Sequence, residues 1–505
     1  MILFCCEVKP IKAIVSSSIS TSSRSRSTRF LYELEVSLRK GIDEYLKSGN
    51  QTEELQNALQ LLQIPGIFRK EDRVSPFISI PFCAGCNIVA SILLAVPRIT
   101  VKTLLKRFCI WLGVEPPDVC QGFFDVNAET LIYIADNTPH LSSQRICTIV
   151  FQFMGCKEFF KHDWTINIPK EKNIKQLGVT EKKRSNLNPI NPIKILHLSD
   201  IHYDVDYTIG SDAACDEPMC CRPGSQPDYF QNAAGRWGAY RCDTSWEMFN
   251  GALDHITSQH DDITYIYFTG DIVDHKLWGT SMRRNTKVIS SVLEKLKNSF
   301  EGIPIFPVLG NHDPHPLNAY SPDSVNNKSF SSQWIFKLVA EKWQMWLPTE
   351  TKETILKGGY YTVLVKPGFR IVALNSAVCF FTNWWLIFDD YDPYGQLNWL
   401  VDVLLKAEEN GEIVHIISHV PSGDFTCFKN WGKEYAEIIK RFSKTVIAQF
   451  NGHTHRQDVS LYYKDTTMKH PINIAFTGGS LTTWYGVNPN YLVHHVDPVF
   501  YVRSA

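Results

Sequence analysis

From residue 193 onward, seven short apolar runs rich in β-branched residues recur between helical stretches. They cover residues 194–198, 263–268, 303–309, 369–374, 413–417, 446–450 and 472–476. Runs of four to eight such residues read as buried strands, and their alternation with helical stretches predicts an α/β (α+β layered) domain. Five of the runs end in polar groups. The ends read Ser199-Asp200-Ile201-His202, Gly270-Asp271-Ile272-Val273-Asp274-His275, Gly310-Asn311-His312-Asp313, Ser418-His419-Val420-Pro421 and Gly452-His453-Thr454-His455. Sites in open α/β sheets form beyond the carboxyl ends of strands, so these five ends are expected around one cleft.

The residue types suit divalent metals. Imidazole and carboxylate are ligands for zinc, manganese and iron, and no cysteine is among them. A glycine before Asp271, Asn311 and His453 is expected to let the backbone turn sharply toward an ion. A carboxylate such as Asp271 is able to bridge two cations. Each piece alone is weak, since Gly-Asn-His is often a plain turn. The ordered set of five carries the reading.

That set, Asp-x-His, Gly-Asp, Gly-Asn-His, a later His and Gly-His-x-His, resembles the calcineurin-like metallophosphoesterase superfamily. The resemblance implies a β-sandwich flanked by helices. It places one metal on Asp200, His202, Asp271 and His455, and the other on Asp271, Asn311, His419 and His453. It also implies two zinc ions, which the ligand types alone do not select. His312, directly after Asn311, is the expected proton donor to a departing alkoxide, and His275, four residues after Asp271, is a second candidate. The alternative for both is to orient the ligands.

Upstream lies a different kind of sequence. Six of the chain's 14 cysteines fall between Cys83 and Cys156, four between Cys215 and Cys242, and Cys379 and Cys427 follow. Grouping of this kind predicts disulfides and an oxidising compartment, with reduced buried thiols as the alternative. Cys5 and Cys6 stand apart. Helical spacing of Val101, Leu104, Leu105, Phe108 and Leu112, and of Ile146, Ile149, Val150 and Phe153, predicts four or five short amphipathic helices in residues 79–160. This unit resembles a saposin B-type domain. The resemblance implies the pairs Cys83–Cys156, Cys86–Cys147 and Cys109–Cys120, and contact with a lipid or membrane surface.

Residues 1–78 read as a leader with one helix, its apolar face drawn from Leu31, Leu34, Val36, Leu38, Ile42 and Leu46. Residues 161–192 read as a Pro-containing linker, and residues 193–505 as the catalytic domain. Lys plus Arg is 51 and Asp plus Glu is 52, so no charge excess points to nucleic acid. No stretch reaches the roughly 20 apolar residues of a transmembrane helix. Asn50 and Asn327 head N-glycosylation sequons, in keeping with a secreted or lysosomal setting. The first residues lack a signal-peptide apolar run, and a misassigned or incomplete N-terminus is the expected reason.

Detail inside the α/β domain narrows the resemblance to the acid sphingomyelinase family. The carriers are Cys215-Asp-Glu-Pro-Met-Cys220-Cys221-Arg-Pro-Gly, Tyr240-Arg-Cys242-Asp, Gly310-Asn-His-Asp-Pro-His-Pro-Leu-Asn318, Asp392-Pro-Tyr-Gly-Gln-Leu-Asn-Trp-Leu400 and Thr482-Thr-Trp-Tyr-Gly-Val-Asn-Pro489. The resemblance implies Cys215–Cys220, Cys221–Cys242 and Cys379–Cys427, and hydrolysis of sphingomyelin to ceramide and phosphocholine. Trp384, Trp385, Trp484 and Tyr485 are candidates to hold choline by cation–π attraction, with packing as the alternative. The family continues beyond the equivalent of Ala505, so a C-terminally truncated form is expected. The rival readings are a phosphodiesterase on nucleotides or other soluble diesters, and a catalytically impaired lipid-binding homologue.

Overall fold

The computed structural model describes residues 21–62, 82–152, 156, 164–170, 192–325 and 327–497. Cys5, Cys6, Phe153, most of the expected linker and the last eight residues lie outside the described residues. The chain divides into two compact units, Met1–His162 with Leu386–Phe388, and Asp163–Trp385 with Asp389–Ala505.

The first unit is helical. Its order is α1 (Thr21–Ser48), α2 (Glu53–Leu62), α3 (Phe82–Ala95), α4 (Arg98–Trp111), α5 (Pro117–Asn137) and α6 (Ser143–Val150). Pro97 and Pro116 stand at the N-caps of α4 and α5. At both positions proline sits just outside the helix, where it disrupts no helical hydrogen bond. Disulfides join Cys83 to Cys156, Cys86 to Cys147 and Cys109 to Cys120.

The leader proves to be part of this unit. Leu34, Leu38 and Ile42 of α1, and Leu55, Leu59 and Leu62 of α2, share one apolar core with Ile88, Ile92, Leu104 and Phe108. The spacing Leu34-Leu38-Ile42 is a straight i, i+4 stripe. Val36 falls off it and is exposed. Helix α2 was not expected at all, and its apolar residues complete the core. No helix among the described residues is long and apolar enough to cross a membrane.

The second unit is the layered α/β domain. Its strands are β1 (Ile193–Leu198), β2 (Ile263–Phe268), β3 (Ile305–Pro307), β4 (Tyr361–Lys366), β5 (Phe369–Ala373), β6 (Ile413–Ile417), β7 (Val446–Asn451), β8 (Asp458–Tyr463), β9 (Pro471–Thr477) and β10 (Leu492–Val496). They form a four-stranded sheet, β10-β1-β2-β3, and a six-stranded sheet, β4-β5-β6-β7-β9-β8. The pairs β1–β2, β2–β3, β5–β6, β6–β7 and β7–β9 are parallel. Parallel neighbours need crossovers. Helices supply four of them, at Trp246–Gln259, Met282–Ser299, Gln396–Glu409 and Lys429–Arg441. Ser245 and Ser281 start the first two by accepting the Met248 and Arg284 N–H.

The inner faces of the two sheets meet. The Tyr267 hydroxyl of β2 lies 2.8 Å from Nδ1 of His415 on β6, and the Tyr267 ring packs edge-on to Phe450 of β7. The domain is thus a β-sandwich with helices around it. All parallel strands run their carboxyl ends toward the same rim, and the site lies there.

Candidate metal centre

Beyond β1 and β2 the two chains stay side by side. Asp200 N–H donates to the Gly270 carbonyl at 3.0 Å, His202 N–H to Asp271 at 3.1 Å and Tyr203 N–H to Ile272 at 2.8 Å. This pairing carries the donor side chains of both loops to one place. The chain turns hard to do it. Asp200, His202, Asp271, His453 and His455 all have positive φ, between 44° and 76°. Non-glycine residues rarely adopt that region, and their clustering at one place marks a functional constraint.

The glycines serve partly in a different way from the expected one. Gly270 does take a positive φ of 93°. Gly310 and Gly452 do not. They are needed for space, because a Cβ on Gly310 would lie 2.0 Å from Asp271 Oδ1, and one on Gly452 would lie 2.0 Å from Ser199 Oγ. Two loops approach backbone to side chain at both points, and only glycine fits.

The seven expected donors come together and are all buried. Asp200, His202 and His455 form one group, and Asp271, His419 and His453 another, with donor atoms inside each group lying within 4.8 Å of one another. Asp271 Oδ2 reaches both, at 3.5 Å from His202 Nε2 and 3.1 Å from His419 Nε2. Asn311 Oδ1 is 2.9 Å from His419 Nε2. A third group joins His202 to His275 and His312.

Partners behind the donors decide which atoms face inward. His202, His419 and His455 place Nδ1 at 2.7–2.8 Å from the carbonyls of Val273, Thr269 and Trp484. A carbonyl only accepts, so each Nδ1 carries the hydrogen and each Nε2 presents a lone pair. His453 is reversed. Its Nε2 lies 3.0 Å from Thr426 Oγ1, whose hydroxyl donates to Asp424 at 2.5 Å, so Nδ1 is left as the lone pair. Asn311 Nδ2 donates to Asn318 Oδ1 at 3.0 Å, which turns Oδ1 inward. Lone pairs of His202 and His455 then face each other at 3.1 Å. Such an array repels itself unless positive charge lies between its members. Two carboxylates, four imidazoles and an amide oxygen, with their hydrogens turned outward, fit divalent cations.

Electrostatics agree. Burial favours the protonated Asp271 carboxyl, but His419, His312 and His202 outweigh it and hold the group well below the usual range. Burial works against charge on His202, yet Asp200 and Asp271 raise it to about 9. His419 rises to about 9 against burial, chiefly through Asp271. Without cations the carboxylates draw protons onto the rings that would otherwise bind metal.

His312 and His275 differ. The His312 backbone N–H donates to Asp271 Oδ1 at 2.8 Å, while its ring Nδ1 lies 3.4 Å from the Asp274 carbonyl. Burial pushes that ring down to about 4. His275 is clamped by Asp243, which accepts from the backbone N–H at 2.7 Å and from Nδ1 at 2.9 Å. Its ring stacks on Trp484 at 3.9 Å, and its buried Nε2 has no hydrogen-bond partner among the described residues. Burial, then the neighbouring imidazoles, hold it well below its ordinary value.

Sequence reasoning missed Asp243, Asn318, Thr426 and Asp313. Asp313 accepts the Gly310 and Ile272 N–H at 2.7 and 2.9 Å and so ties the two loops together. Asp313 and Asn318 stand inside motifs already quoted, and Asp243 follows Cys242. Their partners, however, are fixed only by the fold. Of the choline candidates, Trp384, Trp385 and Trp484 are buried and Tyr485 is exposed. Disulfides join Cys215 to Cys220, Cys221 to Cys242 and Cys379 to Cys427. Cys242 thereby pins the segment that delivers Asp243. Asn50 and Asn327 are both exposed.

The family model for calcineurin-like phosphoesterases matches residues 193–457. The matched stretch begins with β1 and includes all seven donors. This chain belongs to the calcineurin-like phosphoesterase family. Within it, the chain belongs with the sphingomyelin phosphodiesterases. It is 32% identical over 399 residues to the sphingomyelin phosphodiesterase of Bos taurus and, by the same figures, to that of Homo sapiens, covering 79% of this chain. It is 30% identical over 424 residues to sphingomyelin phosphodiesterase 1 of Caenorhabditis elegans, covering 82% of this chain and 74% of that protein. The matched stretch spans 62% of the length of the bovine and human proteins.

Proposed function

We propose that this chain hydrolyses sphingomyelin to ceramide and phosphocholine with two zinc ions. One ion is assigned to Asp200, His202, Asp271 and His455, and the other to Asp271, Asn311, His419 and His453, with Asp271 shared. The observation that carries this reading is the inward array of lone pairs around a carboxylate that reaches both groups. When bound, two divalent ions supply Lewis acidity to phosphoryl oxygens and acidify water.

The chain's own residues supply the rest. Asp243 fixes the tautomer of His275 by accepting from Nδ1. In its neutral form that ring has no hydrogen on Nε2. It becomes a proton donor as the imidazolium, which the Asp243 carboxylate stabilises and an incoming phosphodiester anion favours. We assign His275 to protonate the departing ceramide oxygen. His312 is the second proton donor, and its backbone N–H holds the shared carboxylate.

The lipid substrate is supported by the sphingomyelin phosphodiesterase relatives and by the helical unit with three disulfides. We read that unit as a saposin B-type module that meets the membrane surface. Six disulfides among the described residues and two exposed sequons support a secreted or lysosomal location, with glycans on Asn50 and Asn327. The test is turnover at pH 5 of labelled sphingomyelin in anionic liposomes, set against ATP. Hydrolysis of the lipid with two zinc ions per chain is expected. Preference for ATP would sink the lipid assignment, and zinc binding with turnover of neither would favour the lipid-binding homologue.

A further inference from the structure

Behind Asp200 runs a row of buried polar groups that the chemistry above does not use. His494 Nε2 lies 3.3 Å from His197 Nδ1, and His197 Nε2 lies 3.1 Å from Thr269 Oγ1. Thr269 Oγ1 is 2.7 Å from Ser199 Oγ, which bonds in turn to Asp200 Oδ2. All five residues are buried. They come from β10, from β1, from the loop after β2 and from the loop after β1.

The direction of each bond follows by elimination. A carboxylate only accepts, so the Ser199 hydroxyl donates to Asp200. Its single hydrogen is then spent, so Thr269 donates to Ser199, at 2.7 Å a much closer acceptor than the Leu198 carbonyl at 3.4 Å. Thr269 in turn has none left for His197, and His197 Nε2–H must donate to Thr269. His197 Nδ1 is then an acceptor, and the donor to it is His494 Nε2–H. Four donors point the same way, toward one carboxylate oxygen. Bonds aligned head to tail in a dry interior polarise and strengthen one another.

The geometry at the end of the row gives it a purpose. Asp200 Oδ2 takes the Ser199 hydroxyl, while the His453 N–H is shared by Oδ2 and Oδ1 at 3.0 Å each, so the Ser199 bond is what distinguishes the two oxygens. Asp200 Oδ1 faces the metal-site rings, 3.5 Å from His455 Nε2 and 3.8 Å from His202 Nε2. We propose that His494, His197, Thr269 and Ser199 form a one-way hydrogen-bonded chain that holds Asp200 Oδ2 back and so positions Oδ1 as a metal ligand. These four are positioning residues, and the last strand of the domain is thereby wired to the centre. The inference rests on the two-ion reading of the donor set.

The experiment measures zinc per chain by mass spectrometry and zinc affinity by chelator competition on the full-length chain. Wild type is expected to hold two ions. Thr269→Val cuts the row at its middle, and one of the two ions should weaken by about 10–100-fold while the other holds. Thr269→Ser keeps the hydroxyl and should restore wild-type affinity. His494→Phe, remote from every donor, should weaken the same ion, and keeps the test alive if Thr269→Val fails to fold. The double variant should be no weaker than Thr269→Val alone, because a row already cut transmits nothing. Unchanged affinity in both Thr269→Val and His494→Phe, or single effects that simply add, would overturn the chain. A wild-type protein that holds fewer than two ions would instead overturn the two-ion reading, and the chain with it.

Discussion

The helical unit and the α/β unit hold their shapes by opposite means. Among the described residues the helical unit has three disulfides, two of which close long stretches, with partners 73 and 61 positions apart in sequence. The α/β unit has three as well, but they close 5, 21 and 48 residues and fasten loops rather than the sheets. Its stability comes from two sheets packed face to face with helices outside. A small helical assembly buries little and gains from a restricted unfolded chain. A large sandwich has stability to spare, and spends it on five non-glycine residues in left-handed backbone at the donor loops. The lesson is that covalent closure and stored strain are alternatives, each suited to the size of the core beside it.

The most severe way to test that contrast is at the shared carboxylate. Asp271→Asn removes a charge from both donor groups but leaves the sandwich intact. Turnover should fall by at least ~10³-fold, the scale of several kcal/mol of lost Lewis-acid stabilisation. Metal content should fall with it, and the melting temperature of the metal-free protein should hold or rise. Retained turnover would refute the bridging role.

Next comes the covalent side. Loop closure predicts about 4 kcal/mol for Cys83–Cys156 and about 3 kcal/mol for Cys109–Cys120, whose partners are 11 residues apart. Replacing the first pair by serine should therefore destabilise the helical unit more than replacing the second. Hydrogen exchange in α3–α6 reads this unit by itself. Equal destabilisation by the two replacements would refute loop length as the source of the difference.

How much of each region was legible follows from the same contrast. The parallel inner strands were visible because they are largely buried, so β1, β2 and β6 read as short runs dominated by apolar residues. The missed strands β4, β8 and β10 all lie at sheet edges and pair antiparallel. Strand β8, Asp-Val-Ser-Leu-Tyr-Tyr, is exposed along most of its length and carries no such run. The donors were legible because strand ends concentrate them in dense short motifs. Asp243 was not, because its partner His275 stands 32 residues away and nothing in either motif names the other. In the leader, Val36 looked like part of the apolar face because composition is easier to see than phase. Only the partner helices α2 and α3 show which stripe is inside.

A smaller effect is expected at that unforeseen pair. Asp243→Asn keeps the shape of the clamp but cannot stabilise an imidazolium at His275. The kcat should drop by about 10²-fold, at the lower end for general-acid catalysis, with zinc content unchanged. His312→Gln should cut kcat as well and, because its backbone N–H still serves Asp271, should also leave zinc in place. An Asp243→Asn enzyme with wild-type kcat would return the proton-donor role to His312.

The smallest effect separates the two units by pH. Glu115 lies between α4 and α5, and burial pushes its carboxyl up to about 7. The unfolded carboxyl titrates near ~4.3. Between those values the folded unit holds more protons than the unfolded one, so its stability falls as pH rises. The contribution is complete below the unfolded value and is lost as pH climbs through about 7. Allowing for its partial contact with solvent, the swing is about 2 kcal/mol. The metal centre has the opposite slope, because imidazole and carboxylate must be deprotonated to bind cations. Acid therefore tightens the helical unit while it loosens the centre. Glu115→Gln should flatten the pH dependence of hydrogen exchange in α4 and α5 and leave the pH dependence of zinc affinity as it was. A pH dependence of exchange in α4 and α5 that Glu115→Gln leaves unchanged would remove Glu115 as the source of that slope.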